Sequence, residues 1–213
     1  MKYNFWVFLV LVTLLSSCVW NTSEQEQSVI LKIPDEYNLV EVPSEIRVDG
    51  TPVTLQWELL WVWDILTDTE LDLRADYFNE VESKNLSEFW SLKLIQTVPS
   101  LDTPVCTFQT QQLEAAAEKF RDVTFITLSH DTPFALQRFC AENSIDNLIT
   151  LSDARTREFW IRNNFFLPEY WLLSRSIMIV DEDLEILYIE YAEEVTHELN
   201  LENALAFMNT LRN

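Results

Sequence analysis

SLKLIQTVPSLDTPVCTFQTQQLEAAAEKF, residues 91–120, decides the fold. Its first eight residues make a strand-like apolar run. Beyond Pro104 the period changes, and Phe108, Leu113, Ala116, Ala117 and Phe120 recur at helical spacing. Pro104 suits the first turn of a helix, where its missing N–H is harmless. A strand, the turn-like stretch PSLDTPVC at 99–106 and a helix therefore follow one another, with a cysteine at the junction.

The same alternation runs on toward the carboxyl end. Residues 123–128 are β-rich, His130-Asp131-Thr132-Pro133 signals a helix start, and the helix it opens runs through Cys140. A short strand is expected at 148–151 and a helix at 154–163. Residues 176–180 and 186–191 read as a hairpin closed by the acidic turn DEDLE, and 202–211 as a last helix. That order predicts an α/β fold, a mixed central sheet flanked by helices. Upstream, SEIRVDGTPVTLQW at 44–57 reads as an N-terminal β-hairpin turning at Asp49-Gly50. ELLWVWDIL at 58–66 fits a strand buried on both faces or a short helix, and Trp57, Trp61 and Trp63 are expected to be buried together. Residues 67–89 read as loops with a short helix.

The amino end has a different character. Lys2 precedes an apolar run from Phe5 to Leu15, which is too short for a comfortable membrane span and matches a signal-peptide core. Leu15-Ser16-Ser17-Cys18 resembles a bacterial lipoprotein cleavage box. The expected organisation is a signal peptide at 1–17, a polar tether at 18–43 carrying lipid on Cys18, and a folded domain at 44–213. An exported lipoprotein on the outer face of a membrane, in the periplasm or at the cell surface, follows from this reading. A segment left unprocessed would leave the chain in the cytoplasm. With 35 acidic and 14 basic residues, the net charge of −21 repels a phosphate backbone, so nucleic acid is not an expected partner. The single glycine, Gly50, forces other residues into turns and helix ends.

With Cys18 assigned to lipid, Cys106 and Cys140 remain. Neither belongs to a C-x-x-C pair, and with only the isolated His130 and His197 available no metal site is expected. Both histidines read as surface or helix-cap residues. Nothing in the sequence calls for a cofactor. In a helix's first turn, free N–H groups and the positive helix end favour an anionic sulfur at Cys106. Thr103 stands where its hydroxyl could cap that helix and also donate toward the same space. A purely structural role remains open for both. A Cys106–Cys140 disulfide would close a loop of about 34 residues and stabilise the chain by roughly 4 kcal/mol. The two cysteines differ in setting, which suits an attacking and a resolving thiol. Arg175, just ahead of the strand SIMIV, is the candidate cation; a solvated strand-end charge is the competing reading. Arg138 shares a helix with Cys140 and reads as a surface charge.

Pro99 to Cys106 resembles the P-x-x-x-T-x-x-C motif of peroxiredoxins, in the form used by bacterial thiol peroxidases of the atypical two-cysteine type. The resemblance continues through Asp131–Cys140, residues 149–153 and residues 169–181. It implies a thioredoxin-like fold with an N-terminal hairpin. By the same resemblance, Cys106 is the peroxidatic cysteine, Cys140 the resolving one, and Thr103 and Arg175 bind and polarise the peroxide. Pro99 would shield the sulfur, and the N–H groups of Val105 and Cys106 would hold the peroxide oxygens. Reduction of hydrogen peroxide or organic hydroperoxides is implied, with a Cys106–Cys140 disulfide then reduced by thioredoxin or a similar dithiol protein. A homodimer is also implied. Two other readings stay in play: a non-catalytic lipoprotein with a stable disulfide, and a thiol-disulfide exchange factor. The chain departs from the family pattern at 58–78, at Ala141 and Ser144 where glycine is usual, and at Gln111 and Gln112.

Overall fold

The computed structural model describes residues 43–55, 58–74 and 81–212. A hairpin opens it, β1 (Arg47–Val48) against β2 (Thr51–Pro52). Asp49 and Gly50 both take positive φ, 49° and 72°, as the two-residue turn of a twisted hairpin requires. Next come β3 (Leu71–Arg74), β4 (Glu82–Lys84) and β5 (Lys93–Val98), then helix α1 (Pro104–Ala117), β6 (Thr124–Ser129), helix α2 (Pro133–Asn143) and β7 (Ile149–Ser152). Short helix α3 (Glu158–Arg162), a small hairpin β8 (Phe166–Leu167) with β9 (Leu172–Leu173), β10 (Ser176–Val180), β11 (Ile186–Tyr191) and helix α4 (Leu201–Leu211) complete the order.

Seven strands form one mixed sheet in the order β11-β10-β5-β6-β7-β3-β4. β5, β6 and β7 are parallel neighbours, while β10 joins β5 antiparallel, with Met178 opposite Ile95. The steps from β5 to β6 and from β6 to β7 run in the same direction, so right-handed crossovers place α1 and α2 on one face of the sheet. Gln111 on α1 donates to Asn143 on α2 at 3.0 Å, which fixes the two side by side. Both begin at the same edge of the sheet, where β5 and β6 end. That edge holds the two cysteine-bearing segments together.

Burial explains why β5 sits at the centre. All six of its residues are buried, Lys93 included, whose ammonium donates to the carbonyls of Ser91 and Asp181 at 3.2 and 2.8 Å. Desolvation lowers the pKa of that amine. On α1 the buried positions are Cys106, Gln109, Thr110, Leu113, Ala116 and Ala117, a stripe at helical spacing.

Several expectations need correction. Residues 58–66 form neither a strand nor a helix; they run irregularly beside β11, tied by the N–H of Trp63 to the carbonyl of Ile186 at 2.8 Å. Trp61 and Trp63 are 56% and 53% exposed, so no buried tryptophan cluster forms from them; Trp57 lies outside the described residues. Within 67–89 two strands, β3 and β4, accompany the expected short helix, a 3-10 turn at Leu86–Glu88. The helix expected at 154–163 is only α3, because Arg157 takes a left-handed φ of 60° and the Asp153 carboxylate caps it by accepting from the N–H of Trp160 at 3.0 Å. Phe108 faces outward. His130 is no surface cap: it stacks on Trp160, ring centroids 4.3 Å apart, and burial lowers its pKa. Among the described residues no helix is long and apolar enough to cross a membrane, and no group of side chains could hold a metal ion. The leader, the tether and Cys18 lie outside the described residues.

Candidate active site

The site is built where β5 ends. Val98 and Pro99 are buried, and the chain then crosses Ser100–Thr103 into α1, which sets Cys106 as the third residue of the helix. At that depth a helix has no internal acceptors for its N–H groups. Among the described residues nothing accepts from the N–H of Val105 or Cys106. Two backbone donors thus face the space beside the sulfur.

Cys106 is fully buried, yet its environment is not apolar. Arg175, 1% exposed, precedes β10 and turns its guanidinium inward. Its Nη2 donates to Cys106 Sγ at 3.2 Å, Nη1 to Gln109 Oε1 at 3.0 Å, and Nε to the carbonyl of Val195 at 2.8 Å. No carboxylate pairs with this buried cation among the described residues. Isolated buried charge is costly. The side-chain acceptors it meets are the sulfur of Cys106 and the amide oxygen of Gln109.

Thr103 occupies the N-cap position, but its hydroxyl makes no cap hydrogen bond to the helix. Instead Oγ1 donates to the carbonyl of Ser100 at 3.1 Å, and the side chain is exposed. It stands at the mouth of the site with its oxygen's lone pairs unengaged by the helix. Cys140 stands apart from this group. It is half-buried on α2, and its sulfur lies 3.4 Å from Thr150 Oγ1 on β7. Burial pushes its thiol up, ahead of the opposing hydrogen bond from Thr150. Both cysteines are free. Cys106 is held from the β10 side and Cys140 rests on β7, with β5 and β6 between. Three strand spacings, roughly 14 Å, separate β10 from β7, beyond the reach of a disulfide in this arrangement.

Three participants escaped the sequence reading. Gln109 is fully buried and orients Arg175; its place three residues after Cys106, one turn along the same face, was the available signal. Its Nε2 has no partner among the described residues, a donor left beside the guanidinium. Val195 contributes only a carbonyl, which side-chain patterns do not reveal. That carbonyl is held in turn by the N-terminal hairpin: Val195 N–H donates to the carbonyl of Arg47 at 2.9 Å, and the Glu194 carboxylate accepts from the N–H of Gly50 at 2.8 Å. Gln96 of β5 completes the polar floor, donating to Thr110 and Thr127 hydroxyls at 2.8 and 2.7 Å.

Comparison with known proteins adds to this geometry. The family described as Redoxin matches residues 72–205. A thiol peroxidase of Oceanobacillus iheyensis is 39% identical over 167 residues, covering 78% of this chain and 99% of that protein. One of Bacillus subtilis is 36% identical, covering 76% and 95%. Among solved structures, a peroxiredoxin-like protein from Aquifex aeolicus superposes with a TM-score of 0.69 at 25% identity, covering 81% and 98%. A thiol peroxidase from Chromobacterium violaceum does so at 0.68 with 18% identity, covering 79% and 97%; that likeness concerns the fold alone.

Proposed function

This chain belongs to the redoxin family, within the bacterial thiol peroxidases of the thioredoxin-like superfamily, and on that premise we propose that Cys106 and Cys140 work as attacking and resolving thiols. The chain is a peroxidase. The observation that carries the finer reading is the buried Arg175 guanidinium, which donates to Cys106 Sγ at 3.2 Å and has no carboxylate partner among the described residues. A positive charge held there lies beside the attacking sulfur and the oxygens it meets.

The steps follow from the placement of groups. The Cys106 thiolate attacks the nearer oxygen of the peroxide; an S–O bond forms and the O–O bond breaks. Two electrons pass from sulfur to the peroxide, and the departing oxygen leaves as water or alcohol after taking a proton. Arg175 and the N–H groups of Val105 and Cys106 are positioned to meet the charge that develops on the two oxygens, and the Thr103 hydroxyl joins them when it turns from the carbonyl of Ser100. Pro99 shields the sulfur from bulk solvent. The resulting sulfenic acid condenses with the Cys140 thiol: an S–S bond forms and the hydroxyl leaves as water. Because the sulfurs rest on separated strands, α1 and α2 must loosen locally before that bond closes. A thioredoxin-type dithiol then reduces the disulfide, and the domain's acidic surface favours a reductant with a basic contact patch.

The substrates proposed are hydrogen peroxide and organic hydroperoxides, lipid hydroperoxides included. The lipid anchor on Cys18, the tether at 18–43, an extracytoplasmic location and a homodimer are also proposed. The first three rest on the residues of the amino end, and the dimer rests on the family.

One equivalent of hydrogen peroxide added to the reduced full chain tests the chemistry. Intact mass should show a loss of two hydrogens, with Cys106 and Cys140 in one disulfide-linked peptide pair. A chain that consumes no peroxide while folded would end this reading. For the anchor, Cys18→Ser should abolish the acyl mass and the membrane fraction; retention of both would refute it.

A further inference from the structure

Between the two cysteine-bearing segments lies one carboxylate that the chemistry above does not use. Asp131 sits in the turn after β6, immediately before Thr132, the N-cap of α2, whose hydroxyl accepts from the N–H of Ala135. Its own main chain is anchored on the sheet. The carbonyl accepts from Ser152 Oγ at 2.6 Å, and its N–H donates to Ser129 Oγ at 3.1 Å. Its side chain reaches the other way. Oδ1 accepts from Ser100 Oγ at 2.8 Å, and Oδ2 accepts from the N–H of Leu101 at 2.7 Å and from Ser129 Oγ at 3.0 Å.

Ser100 and Leu101 are the residues that shape the approach to Cys106. The Ser100 carbonyl accepts from Thr103 Oγ1 at 3.1 Å, and the Leu101 carbonyl accepts from Thr107 Oγ1 at 2.9 Å. Hydrogen bonds therefore run unbroken from the start of α2, through one carboxylate, to the first turn of α1. All the side-chain partners of Asp131 are neutral donors, so its tie is directional rather than a general attraction between charges.

We propose that Asp131 is a positioning latch: its carboxylate holds the Cys106 loop against the root of the Cys140 helix and so sets the balance between the closed form that meets peroxide and the open form that closes the disulfide. The two segments cannot separate without breaking the same bonds. With the latch made, Thr103 and the N–H groups at the head of α1 are in place. With it broken, α1 loses an anchor at the turn that carries Cys106, and α2 loses one at its start, ahead of Cys140. Oxidation of Cys106 and condensation with Cys140 therefore respond to Asp131 in opposite directions. The inference rests on the two-cysteine reading.

The test separates the two steps in the full chain with hydrogen peroxide as the probe. Stopped-flow tryptophan fluorescence in a Cys140→Ser background reads oxidation of Cys106. Acid quenching followed by intact mass, in chains that keep Cys140, reads the decay of sulfenic acid into disulfide. Asp131→Asn keeps the shape but turns one acceptor into a donor facing the Ser100 hydroxyl or the Leu101 N–H. It should slow oxidation about tenfold, speed condensation severalfold and lower the yield of sulfinic acid at excess peroxide. Ser100→Ala removes a single donor and should give smaller shifts of the same signs; it decides the matter if the first variant does not fold. A residue that merely supports the fold would lower both rates or neither. Absence of a disulfide in the unsubstituted chain would strike the two-cysteine reading itself. A normal disulfide there, with both rates moved the same way or unchanged in the variants, overturns the latch alone.

Discussion

Replacing Arg175 by lysine keeps the charge and removes the geometry. The guanidinium serves three acceptors in three directions, Val195 O at 2.8 Å, Gln109 Oε1 at 3.0 Å and Cys106 Sγ at 3.2 Å. A lysine ammonium, a compact tetrahedral group on a shorter side chain, cannot span all of them. If it stays near the sulfur, two buried acceptors lose their donor; at roughly 1–3 kcal/mol for each orphaned group, part of it recovered by relaxation, the domain should lose about 2–4 kcal/mol. That corresponds to a fall in Tm of about 5–15 °C. The rate effect is separate, because without its bonds to Val195 and Gln109 the remaining donor is no longer fixed in direction toward the reacting atoms. Removal of one such preorganised donor slows reaction by ~10²–10³-fold. Stopped-flow oxidation of Cys106, run well below the variant's Tm with circular dichroism to establish folding, reads this directly. A folded Arg175→Lys chain that reacts with peroxide at the unsubstituted rate would refute the assignment of Arg175 to the reaction. Gln109→Leu should fall between, since the cation then remains but loses one of its guides.

Other expectations follow from individual contacts. Ser144 ends α2 with φ 54°, a left-handed C-cap that glycine adopts without strain, so Ser144→Gly should raise stability by about 0.5–1 kcal/mol in urea unfolding; a lower stability would refute the strain argument. Glu114 accepts from the N–H groups of Asp146, Asn147 and Leu148 at 3.1, 2.9 and 3.0 Å, so Glu114→Ala should cost about 2–3 kcal/mol, whereas an unchanged Tm would show that solvent replaces it. Burial raises the Cys140 thiol above its ordinary value of 9.0, so the unfolded chain ionises first; the stability of the reduced chain relative to Cys140→Ser is whole below that value and declines as pH rises through the shifted one. Urea unfolding of both reduced chains near neutral pH and near pH 10 measures this, and a difference independent of pH would contradict it.

The central sheet was legible because its strands are either continuous apolar runs or alternate with helices of clear period. KLIQTV at 93–98 and SIMIV at 176–180 needed no distant partner to be read as buried strands. Strand β3 was missed for the opposite reason. Its Asp72 is buried only because Arg155 and Ser83 donate to it, with Arg155 Nη2 at 2.7 Å, and neither neighbour is apparent in the local pattern. The tryptophans of 61–63 misled because hydrophobic character does not by itself imply burial. The site divides in the same way. Cys106, Thr103 and Arg175 were singled out by residue type and motif, while Gln109 and the Val195 carbonyl, which hold Arg175, act through shape and main chain. Asp131 was read as part of a helix start, which it is, but its side chain serves the neighbouring loop.

The central claim is that the sulfur of Cys106, held by Arg175 at the head of α1, is the atom that meets peroxide. Treating a reduced Cys140→Ser chain with stoichiometric hydrogen peroxide, then trapping and mapping the adduct by mass spectrometry, tests it most directly. The account predicts one sulfenic acid, on Cys106; an unmodified Cys106 in a chain that remains folded would contradict it.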